Sequence, residues 1–154
     1  MAEKLREALT RFFGELLGIL GEEGEVEVRE EKGEVYVNLR GSFKTLPLEE
    51  KEFREALARL SVLFLKNTLR ESVTVEIDLN GQEEARRKKL LAQVFSLAER
   101  VRAEKRSIEL EPMSPKDRRL IHLALANFPG VRTYSVGKGE DRRVVIAPEE
   151  ANAP

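Results

Sequence analysis

Leu5, Leu9, Phe12, Phe13, Leu16, Leu17 and Leu20 recur at three- and four-residue spacing, which places them on one side of a helix over residues 3–20 that stops at Gly21. The period then changes to two. Val26 and Val28 alternate with Glu25, Glu27 and Arg29, and Val35, Val37 and Leu39 alternate with Glu34, Tyr36 and Asn38, so two strands form a hairpin across Lys32-Gly33. After a loop from Gly41 to Leu48, Phe53, Leu57, Leu60, Phe64 and Leu65 return to helical spacing, with Val62 and Leu63 widening the apolar face, and the helix runs to about Leu69. Val73, Val75 and Ile77 predict a third strand.

A second, similar cycle opens at Asn80-Gly81. Leu90, Leu91, Val94, Leu97, Ala98 and Val101 form one helical stripe, and Ile108 with Leu110 suggests a short strand. Ser114-Pro115-Lys116-Asp117 supplies an N-cap, a proline at the first helical position and an acidic side chain near the positive helix end. That helix is expected to reach about Asn127, followed by strands Val131–Val136 and Arg142–Ile146 across the Gly137-Lys-Gly-Glu-Asp turn. Residues from Pro148 onward read as a frayed tail. The pattern predicts an α+β chain of two small domains, each a three-stranded sheet packed against helices.

Composition sharpens this picture. The chain has 154 residues, 36% of them charged, and no cysteine, so disulfides, thiol catalysis and cysteine-ligated zinc are excluded. His122 is the only histidine, which excludes a multi-histidine metal site within one chain. No apolar run approaches the length of a membrane span, and the first residues do not read as a signal peptide, so a soluble cytoplasmic protein without membrane insertion is expected. The net charge of −1 hides an asymmetry: residues 1–80 hold 12 basic and 17 acidic side chains, whereas 81–154 hold 15 and 11. A polyanion would therefore meet the second half, and the natural boundary lies near Gly81.

On the helix that starts at Ser114, Leu120, Ile121, Ala124, Leu125 and Phe128 cluster on one side, with Arg118, Arg119 and His122 roughly opposite. Arg118 and His122 stand four residues apart and so neighbour one another on the face expected to be exposed. A guanidinium grips phosphate or stacks on a base, and an imidazole adds a donor and a flat surface. A charged helix face can also show this spacing by chance. The wider string carries more information. Leu110-Glu-Pro-Met-Ser-Pro-Lys-Asp-Arg-Arg-Leu-Ile-His122, then Val131-x-Thr133-x-Ser135-x-Gly137 and Arg142-Arg-Val-Val-Ile146, resembles the Arg-x-x-x-His single-stranded nucleic-acid-binding domain of the bacterial Jag (SpoIIIJ-associated) family. The resemblance covers residues 81–147 and leaves 148–154 as a flexible tail. It makes Arg118 and His122 the named pair and Arg119 their basic neighbour. Arg132, Lys138, Arg142 and Arg143 belong to the terminal hairpin, where alternate residues face opposite ways and only some can join the helix. Lys116, Tyr134, Ser135 and Arg86 are weaker candidates: Tyr134 as a stacking ring or packing, Ser135 as a phosphate donor, Arg86 within the divergent run Arg86–Lys89.

Residues 1–80, in the order helix, strand, strand, helix, strand, look like the type II KH domain that precedes the Arg-x-x-x-His domain in that family. The family's Gly-x-x-Gly loop lets backbone approach a nucleic-acid strand. Here the aligned segment is Leu48-Glu49-Glu50-Lys51, with both glycines missing and two carboxylates present; shifting to Gly41-Ser-Phe-Lys44 restores one glycine. After Asp78 the family's Gly-Tyr-Arg is replaced by Gly81-Gln82-Glu83. This degenerate KH-like domain is expected to be either a pairing module or a rigid support. The family's N-terminal Jag domain is absent, which implies a short form or a shortened chain.

Taken together, these features predict a non-enzymatic, cofactor-free binder of single-stranded RNA or DNA, with RNA favoured. Neutralising about three to five phosphates would give a log–log salt slope of roughly −2 to −4. The resemblance further implies post-transcriptional regulation linked to cell elongation, division or envelope assembly. A small KH-only protein, or a second copy pairing through the KH-like domain, is the implied protein partner. The alternative is a protein-interaction adaptor whose basic groups are tied up by Glu109, Glu111, Glu140 or Asp141. An enzyme ranks third, because no phosphate loop, dinucleotide fingerprint or nucleophile arrangement is present.

Overall fold

In the computed structural model, which describes residues 2–149, the chain contains helices α1 (Ala2–Ile19), α2 (Lys51–Leu69), α3 (Gln82–Glu104) and α4 (Pro115–Leu125). Its strands are β1 (Gly24–Glu31), β2 (Glu34–Gly41), β3 (Thr74–Leu79), β4 (Ile108–Glu109), β5 (Val131–Val136) and β6 (Arg143–Pro148). They form two three-stranded sheets, ordered β1-β2-β3 and β4-β6-β5, in a mixed α+β fold. The chain divides into two units between Ala85 and Arg86.

In the first unit, Val35, Val37 and Leu39 point from β2 into a core shared with Leu5, Leu9 and Phe13 of α1 and Leu57 and Leu65 of α2. These are the positions the two periods single out, because a period of 3.6 and a period of two each gather apolar side chains on one face. Phe13 is fully buried and meets Phe12 edge-on at 5.1 Å, and Phe12 in turn lies 4.7 Å from Phe64 of α2. Deleting the Phe13 ring would cost roughly 3–5 kcal/mol. β1 and β2 pair antiparallel through the tight Lys32-Gly33 turn, where both residues have positive φ. β3 pairs parallel to β2, in register Val37↔Ile77 and Leu39↔Leu79. A parallel neighbour needs a crossover, and α2 supplies it.

The opposite face of that sheet holds a polar cluster. Asp78 is buried and accepts hydrogen bonds from Tyr36 Oη (2.6 Å) and from the backbone N–H groups of Leu79, Glu83 and Glu84. Burial opposes the charge on Asp78, but the Tyr36 hydroxyl and the three amides outweigh it and hold the carboxyl below its ordinary range. Burial, followed by the bond to Asp78, pushes the Tyr36 phenol well above its usual range. Asp78 thereby caps the first turn of α3. Glu84 also pairs with Arg29 at 2.5 Å, so residues 82–85 belong to the first unit although they open the second apolar stripe.

Val94, Ala98 and Val101 of α3, Ile121 and Leu125 of α4, and Val131, Val144 and Ile146 of the sheet form the second core. Two sequence expectations are corrected at its end. α4 stops at Leu125, and Ala126 N–H and Phe128 N–H close a turn onto Leu123 O and Leu125 O. Pro148 is not frayed: it pairs with Val131, and Glu149 N–H donates to Gly130 O at 2.9 Å. The end of a strand tolerates proline where no ladder bond calls on its missing N–H. Residues 150–154 of the expected tail lie outside the described residues. Among the described residues no helix is long and apolar enough to cross a membrane.

Candidate nucleic-acid interface

α4 starts where its sequence directs. Ser114 Oγ accepts from Asp117 N–H at 3.2 Å, and Pro115 occupies the first turn, where its missing N–H costs nothing. Ile121 and Leu125 fix the rotation of the helix by entering the core. That rotation sets Arg118 and His122 beside the sheet rather than away from it. Both are half-buried, which corrects the expectation of a fully exposed pair.

The sheet provides the facing groups. Thr133 pairs with Ile146 and Ser135 with Val144, so the two hydroxyls share the face that Val144 and Ile146 turn toward the core. His122 Nδ1 lies 2.7 Å from Thr133 Oγ1, and His122 Nε2 lies 3.0 Å from Ser135 Oγ. Burial lowers the pKa of this imidazole below the ordinary 6.5, and the positive charges of Arg118 and Arg142 lower it further. The ring is therefore neutral at pH 7, with one N–H and one lone pair.

Backbone from the loop before α4 joins the two arginines. Arg118 Nε donates to Met113 O at 3.2 Å, and Met113 N–H donates to Arg142 O at 3.3 Å. Arg142 Nη1 donates to Gly137 O at 2.9 Å. Gly137 itself has φ near +89°, and a Cβ there would sit 2.7 Å from Asp141 O, so the turn that presents Arg142 requires glycine. Among the described residues, Arg118, Arg119, Arg142 and Lys138 make no salt bridge. Arg119 and Lys138 are exposed on α4 and in the β5–β6 turn.

The remaining candidates separate from this group. Arg132, Tyr134 and Arg143 alternate onto the other face of the sheet, as their register with Ala147, Val145 and Val136 requires. There Arg132 lies over the Tyr134 ring at 5.3 Å, and Arg143 is ion-paired with Glu109 and donates to Asp141 O at 2.9 Å. Arg86 is held by Asp117 through two bonds of 3.0 and 3.1 Å, and Lys116 is exposed and engaged in an interaction of its own. Ser135, taken from the sequence as a phosphate donor, is first a partner of His122. Thr133 was missed as a site residue although the alternation Val131-x-Thr133-x-Ser135 puts it on the face of Ser135; the Met113 carbonyl was missed because no side-chain pattern marks it. Among the described residues no group of three ligating side chains could hold a metal ion.

Residues 88–148 match the family model of the Arg-x-x-x-His domain. The chain is 32% identical over 128 residues to the RNA-binding protein KhpB of Clostridium symbiosum, covering 82% of this chain and 58% of that protein. It is 31% identical over 126 residues to the RNA-binding protein KhpB of Bacillus subtilis, covering 80% of this chain and 61% of that protein. To the RNA-binding protein KhpB of Streptococcus pneumoniae serotype 2 it is 35% identical over 95 residues, 62% of this chain and 29% of that one. The chain thus spans about three-fifths of the length of the first two. With an Arg-x-x-x-His domain holding the Arg118–His122 pair against a hydroxyl-bearing strand, and with this similarity running through four-fifths of its length, the chain belongs to the Jag (KhpB) family.

Proposed function

We propose that this protein binds single-stranded RNA without catalysing a reaction on it, through a surface made by Arg118, His122 and Arg142 and flanked by Arg119 and Lys138. The observation that carries this is that Arg118 and Arg142, from separate elements, converge on His122 and have no carboxylate partner among the described residues. Guanidinium groups held by backbone carbonyls are pre-oriented, so less side-chain entropy is lost when they grip a phosphate. The names of the KhpB relatives support RNA as the ligand. Arg132, Tyr134, Arg143, Arg86 and Lys116 contribute to the field of the domain and not to this contact.

The family relationship supports a cytoplasmic, post-transcriptional role tied to cell elongation, division or envelope assembly. It also supports reading residues 1–80 as a KH-like domain. The segment aligned with the KH loop favours a module that does not grip RNA there: Leu48 is buried, and Arg54 Nη1 donates to Leu48 O (2.7 Å) and Glu49 O (3.0 Å). A clamped, acidic segment offers a strand neither close backbone approach nor charge. Leu60 and Leu63 stand exposed on α2 and supply an apolar face for pairing with a second copy or a small KH-only protein.

The test is fluorescence anisotropy of labelled single-stranded RNA and DNA of equal sequence at two salt concentrations. Wild type is expected to bind RNA in a salt-sensitive manner, and the Arg118→Ala/His122→Ala double variant, with an unchanged circular dichroism spectrum, to lose that binding. Binding that ignores the double change removes the site.

A further inference from the structure

Both ring nitrogens of His122 are already engaged by hydroxyls of β5. A neutral imidazole with two hydroxyl neighbours must accept from one and donate to the other. The hydroxyl that accepts from the ring keeps its own proton, and neither Thr133 nor Ser135 has another side-chain hydrogen-bond partner among the described residues. Beside them, Arg118 keeps both Nη groups and Arg142 keeps Nε and Nη2 without partners among the described residues. His122 therefore has no N–H to give a phosphate. What it can offer a strand is the flat face of the ring.

We propose that Thr133 and Ser135 are positioning residues for RNA: they lock the orientation and tautomer of His122 so that its face meets a base, while one hydroxyl proton and the free guanidinium N–H groups of Arg118 and Arg142 meet the adjoining phosphate. This rests on the nucleic-acid reading of the site and assigns the division of labour within it. The charged groups that act on the ring are Arg118 on its own helix and Arg142 just before β6, and β5 contributes hydroxyls alone. Protonating the ring makes both nitrogens donors, which turns both hydroxyl protons outward and adds a positive charge. RNA binding therefore tightens as the ring takes up its proton.

Because His122 is the only histidine, its ¹⁵N and ¹H signals report this relay without ambiguity. The experiment combines that NMR titration of the full chain with anisotropy of a labelled oligouridine from pH 5 to pH 8. It compares wild type, Thr133→Val, Ser135→Ala, Thr133→Ser and Arg118→Ala. Wild type is expected to show one neutral tautomer and tighter binding at acid pH. Thr133→Val and Ser135→Ala are each expected to give mixed tautomers, to bind about three- to ten-fold more weakly, and to flatten the pH response. Thr133→Ser, which keeps the hydroxyl, restores all three. Unchanged affinity and tautomer in both hydroxyl-free variants, with Arg118→Ala still impaired, overturns the positioning role and leaves the binding site standing. Failure of Thr133→Ser to restore assigns the effect to methyl packing and also overturns it. Absence of binding by wild type at low salt removes the site and this inference together.

Discussion

Removing one cation at a time should reveal which arginines touch phosphate, because the salt dependence of binding counts neutralised phosphates. Arg118 and Arg142 face the site, and Arg119 and Lys138 flank it, so two to four phosphates are neutralised. For a single strand the log–log slope is about −0.7 per phosphate, which gives roughly −1.4 to −2.8. Between about 50 and 200 mM salt, affinity should then fall about 7- to 50-fold. Arg118→Ala should weaken binding by about 1.5–3 kcal/mol, the range for a charge-assisted hydrogen bond, and make the slope shallower by about 0.7. Arg143→Ala is the matched control: it removes the same charge, but one already paired with Glu109 on the other face of the sheet. Its slope should match that of wild type. Anisotropy titrations at four or more salt concentrations resolve a difference of this size. Equal loss of slope in the two variants would refute the assignment of the binding face, since it would mean that net charge and not position governs binding.

Three further outcomes follow from the structure. Asp78→Ala strands one phenol and three amide donors, two of them at a helix start, and should destabilise the first unit by about 3 kcal/mol in urea denaturation, with Asp78→Asn milder. The charge on Asp78 contributes stability that is present above its unfolded pKa near 3.8 and lost as pH falls through the lower folded value, so the Asp78→Asn penalty should vanish in strong acid. His122 has the opposite charge type and the same direction: its folded pKa lies below 6.5, so the unfolded chain takes up the proton first and stability falls as pH drops from 6.5 to the folded value. Thermal melts of His122→Gln should show no such slope in that window. Gly137→Ala forces a Cβ against Asp141 O at φ near +89° and should cost roughly 1–3 kcal/mol, read as a lower melting temperature together with weaker RNA binding through Arg142.

The periods of apolar residues determined the two α+β cycles, the hairpin at Lys32-Gly33, the cap at Ser114 and the residues that fill each core. Those features follow from local geometry, in which every third-to-fourth or every second residue shares a face, and neighbours along the chain are enough to specify them. The Arg-x-x-x-His spacing likewise put Arg118 and His122 on one side of one helix. Only the tertiary structure decided what that side meets. The parallel pairing of β3 with β2 joins segments distant in the chain, such as Val37 with Ile77, and nothing in either strand's alternation specifies it. The register of β5 on β6 sends Thr133 and Ser135 toward α4 and Arg132, Tyr134 and Arg143 away from it, a choice that a slip of one residue would invert. Folding also lets Glu109 take Arg143 and Asp117 take Arg86, which removes two cations that composition alone counts as available. An ion pair or a hydroxyl–imidazole bond depends on distances of a few ångströms between segments far apart in the chain, and those distances are set by core packing.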